Sequence, residues 1–228
     1  MHKTWIIILT VIFFASPVSA AKQSGEDYTI VVMGDSLITG FGMRSSKGNF
    51  TQHLQKWLKK NLNPDDAITV INRGVNGETS VGGAKRLVST LDALKHRPDL
   101  VILEYGANDV GLKLNTEHTR DAMDAMVQYL DYKGYKVIIA GMTATPRYGK
   151  DYNAAFNPIF ADIAKKYNVA LYPFFLEGIE FKKRYNLPDL MHPNSLGAAY
   201  IAKKMGPLVK AELLRDPVKN PIPSVYGE

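Results

Sequence analysis

Five short apolar runs punctuate the chain: Tyr28 to Met33, Ile68 to Ile71, Leu100 to Leu103, Val137 to Ala140 and Val169 to Tyr172. Between them lie longer stretches whose apolar residues recur at helical spacing. Phe50, Leu54, Trp57 and Leu58 share one face of a helix expected over Asn49 to Leu62. Val81, Ala84, Leu87, Val88, Leu91 and Leu94 mark a second helix. Ala122, Met123, Met126, Val127 and Leu130 mark a third, over Thr116 to Tyr132, stopped by Gly134. A fourth is expected from Asn153 to Tyr167, with Pro158 delaying or kinking it, and a last one from Asn194 or Ser195 to about Leu214. Strands that alternate with helices require right-handed crossovers and a parallel sheet. Unbroken aliphatic runs such as Leu100 to Leu103 suit strands covered on both faces. The expected fold is α/β: a three-layer α/β/α sandwich on a five-stranded parallel sheet, flavodoxin-like.

The 228 residues contain no internal repeat and no linker that would mark a boundary, so one domain over 21–215 is expected. The flanks differ. Lys3, the apolar stretch Trp5 to Ala15 and the small residues Val18-Ser19-Ala20 form a secretory signal peptide, residues 1–20, cut after Ala20. Its apolar core is too short for a comfortable span, so no membrane insertion is expected after cleavage, and the mature protein should be periplasmic or secreted. The tail, 216–228, has three prolines and little to bury, and is expected to be mobile.

With no cysteine, thiolate chemistry and disulfides are excluded. The five histidines show no ligand spacing, so neither a metal nor another cofactor is expected. The net charge of +6 is spread over pairs such as Lys59-Lys60 and Lys203-Lys204 without a nucleic-acid-reading module, so no nucleic-acid partner is expected.

Four polar segments carry the chemistry: Gly34-Asp35-Ser36, the loop holding Gly77, Gly106-Ala107-Asn108-Asp109, and Asp189-x-x-His192. The first three follow the carboxyl ends of the first three strands, which share one edge of a parallel sheet, where ligands of such folds collect. The fourth precedes the last helix. Taken alone, Gly-Asp-Ser serves equally well as a turn and helix cap. Together the residue types fit acyl transfer. A serine hydroxyl needs a base, and a histidine titrates near neutrality. A carboxylate three residues before that histidine can hold its other ring nitrogen. Ser36 is thus the candidate nucleophile, His192 the base and Asp189 its partner. The Ser36 and Gly77 N–H groups and the Asn108 side chain are the candidate oxyanion donors. Asp35 and Asp109 are expected to bond loop N–H groups. His53, His96 and His118 are expected to be exposed.

These four blocks in this order resemble the SGNH, or GDSL, hydrolases, over roughly Thr29 to Val209. Further segments, Arg147-Tyr148-Gly149 and Pro173-Phe174-Phe175-Leu176-Glu177 among them, are similar to the bacterial periplasmic thioesterase, lysophospholipase and arylesterase group. The resemblance implies the sandwich fold, a cofactor-free Ser36–His192–Asp189 triad, and an oxyanion hole of Ser36, Gly77 and Asn108. It implies a monomer acting on small-molecule esters or thioesters, lysophospholipids included. Ala107 departs from the second glycine that near relatives carry before the asparagine. Val110 to Leu114 would then form a flexible wall of the acyl pocket. Leu112, Leu114 and Phe175 near the expected mouth favour acyl esters over one alternative, a polysaccharide O-acetyl esterase, and the complete set of Ser36, Gly77, Asn108, Asp189 and His192 argues against another, a non-catalytic lipid- or glycan-binding protein on the same scaffold.

Overall fold

A computed structural model describes residues 25, 27–43 and 48–215; the expected signal peptide and C-terminal tail lie outside the described residues. The elements follow in the order β1 (Asp27–Gly34), α1 (Ser36–Thr39), α2 (Phe50–Asn61), β2 (Ala67–Gly74), α3 (Ser80–Asp92), β3 (Leu100–Glu104), α4 (Ala107–Gly111), α5 (Thr116–Tyr132), β4 (Val137–Ala140), α6 (Lys150–Phe156), α7 (Ile159–Tyr167), β5 (Ala170–Tyr172) and α8 (Ser195–Leu214). One turn of 3-10 helix, Pro146–Tyr148, precedes α6.

The five strands form one parallel sheet in the order β2-β1-β3-β4-β5. The chain steps outward from β1 to β2, then returns past β1 to β3. That reversal leaves a crevice beyond the carboxyl ends of β1 and β3, the switch point at which open α/β sheets bind ligands. Gly34 and Glu104 are paired there. Helices α2 and α8 pack together, and α3, α5 and α7 pack in series. With right-handed crossovers these are the two outer layers. β1 from Ile30 to Met33 and β3 from Leu100 to Leu103 are fully buried, as strands covered on both faces must be.

Several local expectations are corrected. The helix expected over Asn153 to Tyr167 is two helices. Pro158 has no N–H to continue the ladder, so α6 ends before it and α7 starts after it. Val110 and Gly111 wall the cavity as expected but belong to the last turn of α4 instead of a loop. Phe175 is wholly buried, edge-on to Phe50 at 5.1 Å, and lies in the core instead of at the mouth. His53 is half-buried, because α2 and α8 lie side by side, and its Nε2 sits 3.0 Å from Ser195 Oγ at the start of α8. His96 and His118 are exposed as expected.

Candidate active site

The rim begins where β1 ends. Gly34 is required there by contact: a Cβ would lie 2.5 Å from the Glu104 carbonyl oxygen and 2.6 Å from Ile38 Cγ1. Only a hydrogen fits between the end of β1 and the end of β3. Asp35 then caps α1, accepting the Leu37 N–H at 2.8 Å, and Ser36 becomes the first residue of that helix. The nucleophile candidate is therefore held by one turn of helix pinned to a central strand.

Ser36 Oγ lies 2.9 Å from His192 Nε2. His192 Nδ1 lies 2.8 Å from Asp189 Oδ2. A carboxylate can only accept, so Nδ1 carries the hydrogen and Nε2 is left with its lone pair toward the serine. Asp189 Oδ1 also accepts the N–H groups of Met191 at 2.9 Å and His192 at 3.0 Å. Burial pushes the Asp189 carboxyl up, but those two N–H groups and the His192 ring outweigh it and hold the pKa below the ordinary aspartate range. Leu190, between the two, is left-handed at φ 62°, the turn that brings a residue and its third successor face to face. Asn194 accepts from Leu196 and Gly197 and caps α8, which anchors the loop. The Phe41 ring stands 4.8 Å from the imidazole and shields it on one side.

Asn108, in α4 beyond β3, lines the same cavity as Ser36 and His192. Its Nδ2 donates to Asp35 Oδ2 at 3.0 Å and to the Glu78 carbonyl at 2.9 Å, so both amide hydrogens are engaged. Gly77 sits in the neighbouring β2–α3 loop at φ 75° with nothing within 4 Å of a would-be Cβ. Its Cβ position is open, and it does not itself line the cavity. Ala107 is accommodated as the first residue of α4 and lines the cavity, while Gly106 carries the left-handed turn.

Two networks lie behind these residues, the first with no local spacing to announce it and the second centred on Asp109, expected from the sequence to bond backbone N–H groups. Arg86 Nε donates to Glu78 at 2.6 Å, Arg86 also reaches the Arg73 carbonyl, and the Tyr105 hydroxyl donates to Glu78 at 3.1 Å. This fork fixes the residue that follows Gly77. Asp109, wholly buried, accepts from the Ser80 N–H and hydroxyl and from the Thr119 hydroxyl, joining α3, α4 and α5. Beneath Ser36, Asp35 and Glu104 are both wholly buried. Burial pushes the Asp35 carboxyl up to about 7, against the Leu37 N–H, the charge of His192 and the Asn108 amide. Burial, with the neighbouring Asp35 charge, pushes Glu104 well above the ordinary range. Asp35 accepts hydrogen bonds at both oxygens while neither Glu104 oxygen has a well-formed hydrogen-bond partner, so of the two Glu104 is the more strongly biased toward its neutral form.

The cavity over Ser36 measures about 240 Å³ and is lined chiefly by Leu37, Val110, Met142, Leu176, Phe181 and Met191, with Arg147 and Glu180 among its few charged groups. Neither Leu112 nor Leu114 lines it. Met142, Leu176 and Phe181 come from beyond β4 and β5, and nothing in their spacing singles them out.

Comparison with known proteins follows the same lines. Residues 32–200 match the GDSL-like lipase/acylhydrolase family. An arylesterase from Vibrio mimicus is 32% identical over 197 residues, covering 86% of this chain and 94% of that protein. Thioesterase 1/protease 1/lysophospholipase L1 of Escherichia coli K12 is 30% identical, covering 79% of this chain and 85% of that protein. Among solved structures, that of TesA superposes with a TM-score of 0.73 at 29% identity, covering 81% of this chain and 99% of that one.

Proposed function

This chain belongs to the GDSL-like lipase/acylhydrolase family and is an ester hydrolase, and we propose that it is an exported serine esterase acting on carboxylic esters and thioesters of short to medium acyl chains. The observation that carries the mechanism is the unbroken line Ser36 Oγ, His192 Nε2, His192 Nδ1, Asp189 Oδ2, with separations of 2.9 and 2.8 Å. Ser36 Oγ attacks the acyl carbon as its proton passes to His192 Nε2. Asp189 stabilises the imidazolium that forms. The tetrahedral oxyanion is received by the N–H groups of Ser36 and Gly77 and by Asn108. For Asn108 this exchanges the Glu78 carbonyl for an anionic acceptor, which makes a stronger hydrogen bond than the neutral one given up. His192 then returns the proton to the leaving alkoxide or thiolate, and the C–O or C–S bond breaks to leave acyl-Ser36. Water, deprotonated by His192, attacks the acyl carbon, and the serine leaves with the proton.

The apolar lining supports an acyl chain over a sugar as the group bound beside Ser36. The cavity, about 240 Å³, supports a short to medium chain as the acyl group. The relatives' names support both ester and thioester substrates, with lysophospholipids among them. Export rests on Lys3, Trp5 to Ala15 and Val18-Ser19-Ala20; among the described residues no helix is long and apolar enough to cross a membrane. The test is Ser36→Ala, assayed on p-nitrophenyl butyrate, acyl-CoA and lysophosphatidylcholine. Turnover should vanish on every substrate the wild type hydrolyses, with the far-UV circular dichroism unchanged. Retained turnover in the variant rejects the mechanism.

A further inference from the structure

Large apolar side chains are left exposed around the mouth of the cavity. Phe41, Val75, Leu112, Phe181 and Met191 are 44–64% exposed, and each lies beyond the carboxyl end of a strand. Each is one contact from the site. The Phe41 ring rests on His192. The Val75 N–H donates to the Gly34 carbonyl and the Leu112 N–H to that of Asn108, both at 2.9 Å. Phe181 and Met191 line the cavity. Phe41, Phe181 and Met191 thus border the opening to Ser36, with Val75 and Leu112 on adjoining segments as the rest of a broken apolar ring, and exposed apolar patches mark interaction surfaces.

Backbone and charge are organised around the same ring. Phe181 and Lys113 hold left-handed conformations at φ 55° and 51°. Bulky non-glycine residues adopt these at a cost, and such strain collects at functional segments. Cations stand beside the apolar residues: Lys113 follows Leu112, Lys182-Lys183-Arg184 follow Phe181, and Arg147 lies at the cavity edge. Among the described residues none of these five makes an ion pair within 4 Å, although Lys182 donates to the Gly178 carbonyl and Arg147 lies on Tyr148 with its charge felt by Glu180. Glu177 and Glu180 are the acids of the same segment, while Asp189 is taken up by His192. Apolar anchors flanked by lysine and arginine suit an anionic lipid surface, where the anchors enter the acyl boundary and the cations meet headgroups. The centre of the ring is the opening to Ser36, so a covering protein would close the site, whereas a lipid aggregate would supply an ester to it.

We propose that this rim is a docking surface for anionic lipid, on which Leu112, Phe181 and Met191, with Lys113 and the Lys182–Arg184 run, seat the mouth of the cavity. The inference rests on the ester-hydrolase reading only for what docking delivers; the docking itself is measured apart from catalysis. The experiment is sedimentation of the full chain with phosphatidylglycerol-rich and with pure phosphatidylcholine vesicles, comparing wild type with Leu112→Ser and Lys113→Ser. The apolar N-terminal residues are the same in all three and cancel. Wild type should bind the phosphatidylglycerol-rich vesicles more tightly, and less so as salt rises. Leu112→Ser should weaken binding about tenfold, the loss of one partly buried anchor, and Lys113→Ser about fivefold, one cation at an anionic surface. Neither residue lines the cavity, so turnover of soluble p-nitrophenyl acetate should be unchanged in both. Vesicle binding that tracks these substitutions in a protein that hydrolyses no ester would uphold docking and reject the esterase reading. The proposal is overturned if the wild type ignores phosphatidylglycerol, if both variants bind as the wild type does, or if the substitutions disperse a dimer in sedimentation velocity without any vesicle binding.

Discussion

Asp35 makes a stability prediction whose sign follows from its burial. The carboxyl is wholly buried, and burial raises it from 3.8 to about 7 in the folded chain, the Leu37 N–H, the His192 charge and the Asn108 amide notwithstanding. In the unfolded chain it titrates at its ordinary value. Between about pH 4 and 7 the unfolded chain therefore binds fewer protons at this position than the native one does, so stability falls as pH rises through that window and levels off above it. A shift of one unit is worth about 1.4 kcal/mol, so the whole span amounts to about 4 kcal/mol and the part between pH 5 and 7, where the native carboxyl is half-titrated at the upper end, to about 2 kcal/mol. That is a large share of the 5–15 kcal/mol typical of a folded domain. The comparison is between wild type and Asp35→Asn, by urea unfolding followed by tryptophan fluorescence at constant ionic strength. Asparagine keeps an oxygen for Leu37 but does not titrate. Its amide nitrogen would meet the Asn108 donor, a loss of about 1–3 kcal/mol that does not depend on pH. His53, whose shift comes from its own burial and from Lys56, contributes equally to both proteins. The wild-type advantage should therefore shrink by about 2 kcal/mol from pH 5 to 7. An advantage that stays level from pH 5 to 8 would refute the assignment.

Two further predictions test the site and its support. Asp189→Asn keeps an oxygen for the Met191 and His192 N–H groups but removes the acceptor that selects the imidazole tautomer; kcat on p-nitrophenyl butyrate should fall about 10³–10⁴-fold with KM and the melting temperature little changed. Gly34→Ala forces a methyl against the Glu104 carbonyl and Ile38. It should cost about 1–3 kcal/mol, read as a Tm lowered by roughly 3–10 °C, and turnover should fall because Ser36 moves with the end of β1. An alanine variant with wild-type Tm would show that β1 and β3 can part at that point.

Much of the site was legible because its chemistry is written in residue types at strand ends. Ser36 and Asn108 follow apolar runs whose parallel pairing puts their ends on one edge, and Asp189 and His192 are near enough in sequence for one turn to join them. Where local pattern failed, packing between distant elements was the reason. Two helices lying side by side half-bury His53. Phe175, beside an apparent mouth in sequence, turns inward onto Phe50. The Glu78–Arg86–Tyr105 fork joins a loop, a helix and a residue just beyond β3, with no spacing to announce it.

The order of aliphatic runs, turn glycines and helix caps was enough to specify a parallel sandwich and to bring a serine, an asparagine and a histidine to one edge, since periodicity and chain connectivity act locally and admit few topologies. Only the folded chain decided the shape of the cavity, the double engagement of Asn108 and the raised carboxyls beneath Ser36. Those depend on how far groups from separate elements stand from water and from each other, and desolvation and hydrogen-bond geometry are properties of three-dimensional surroundings.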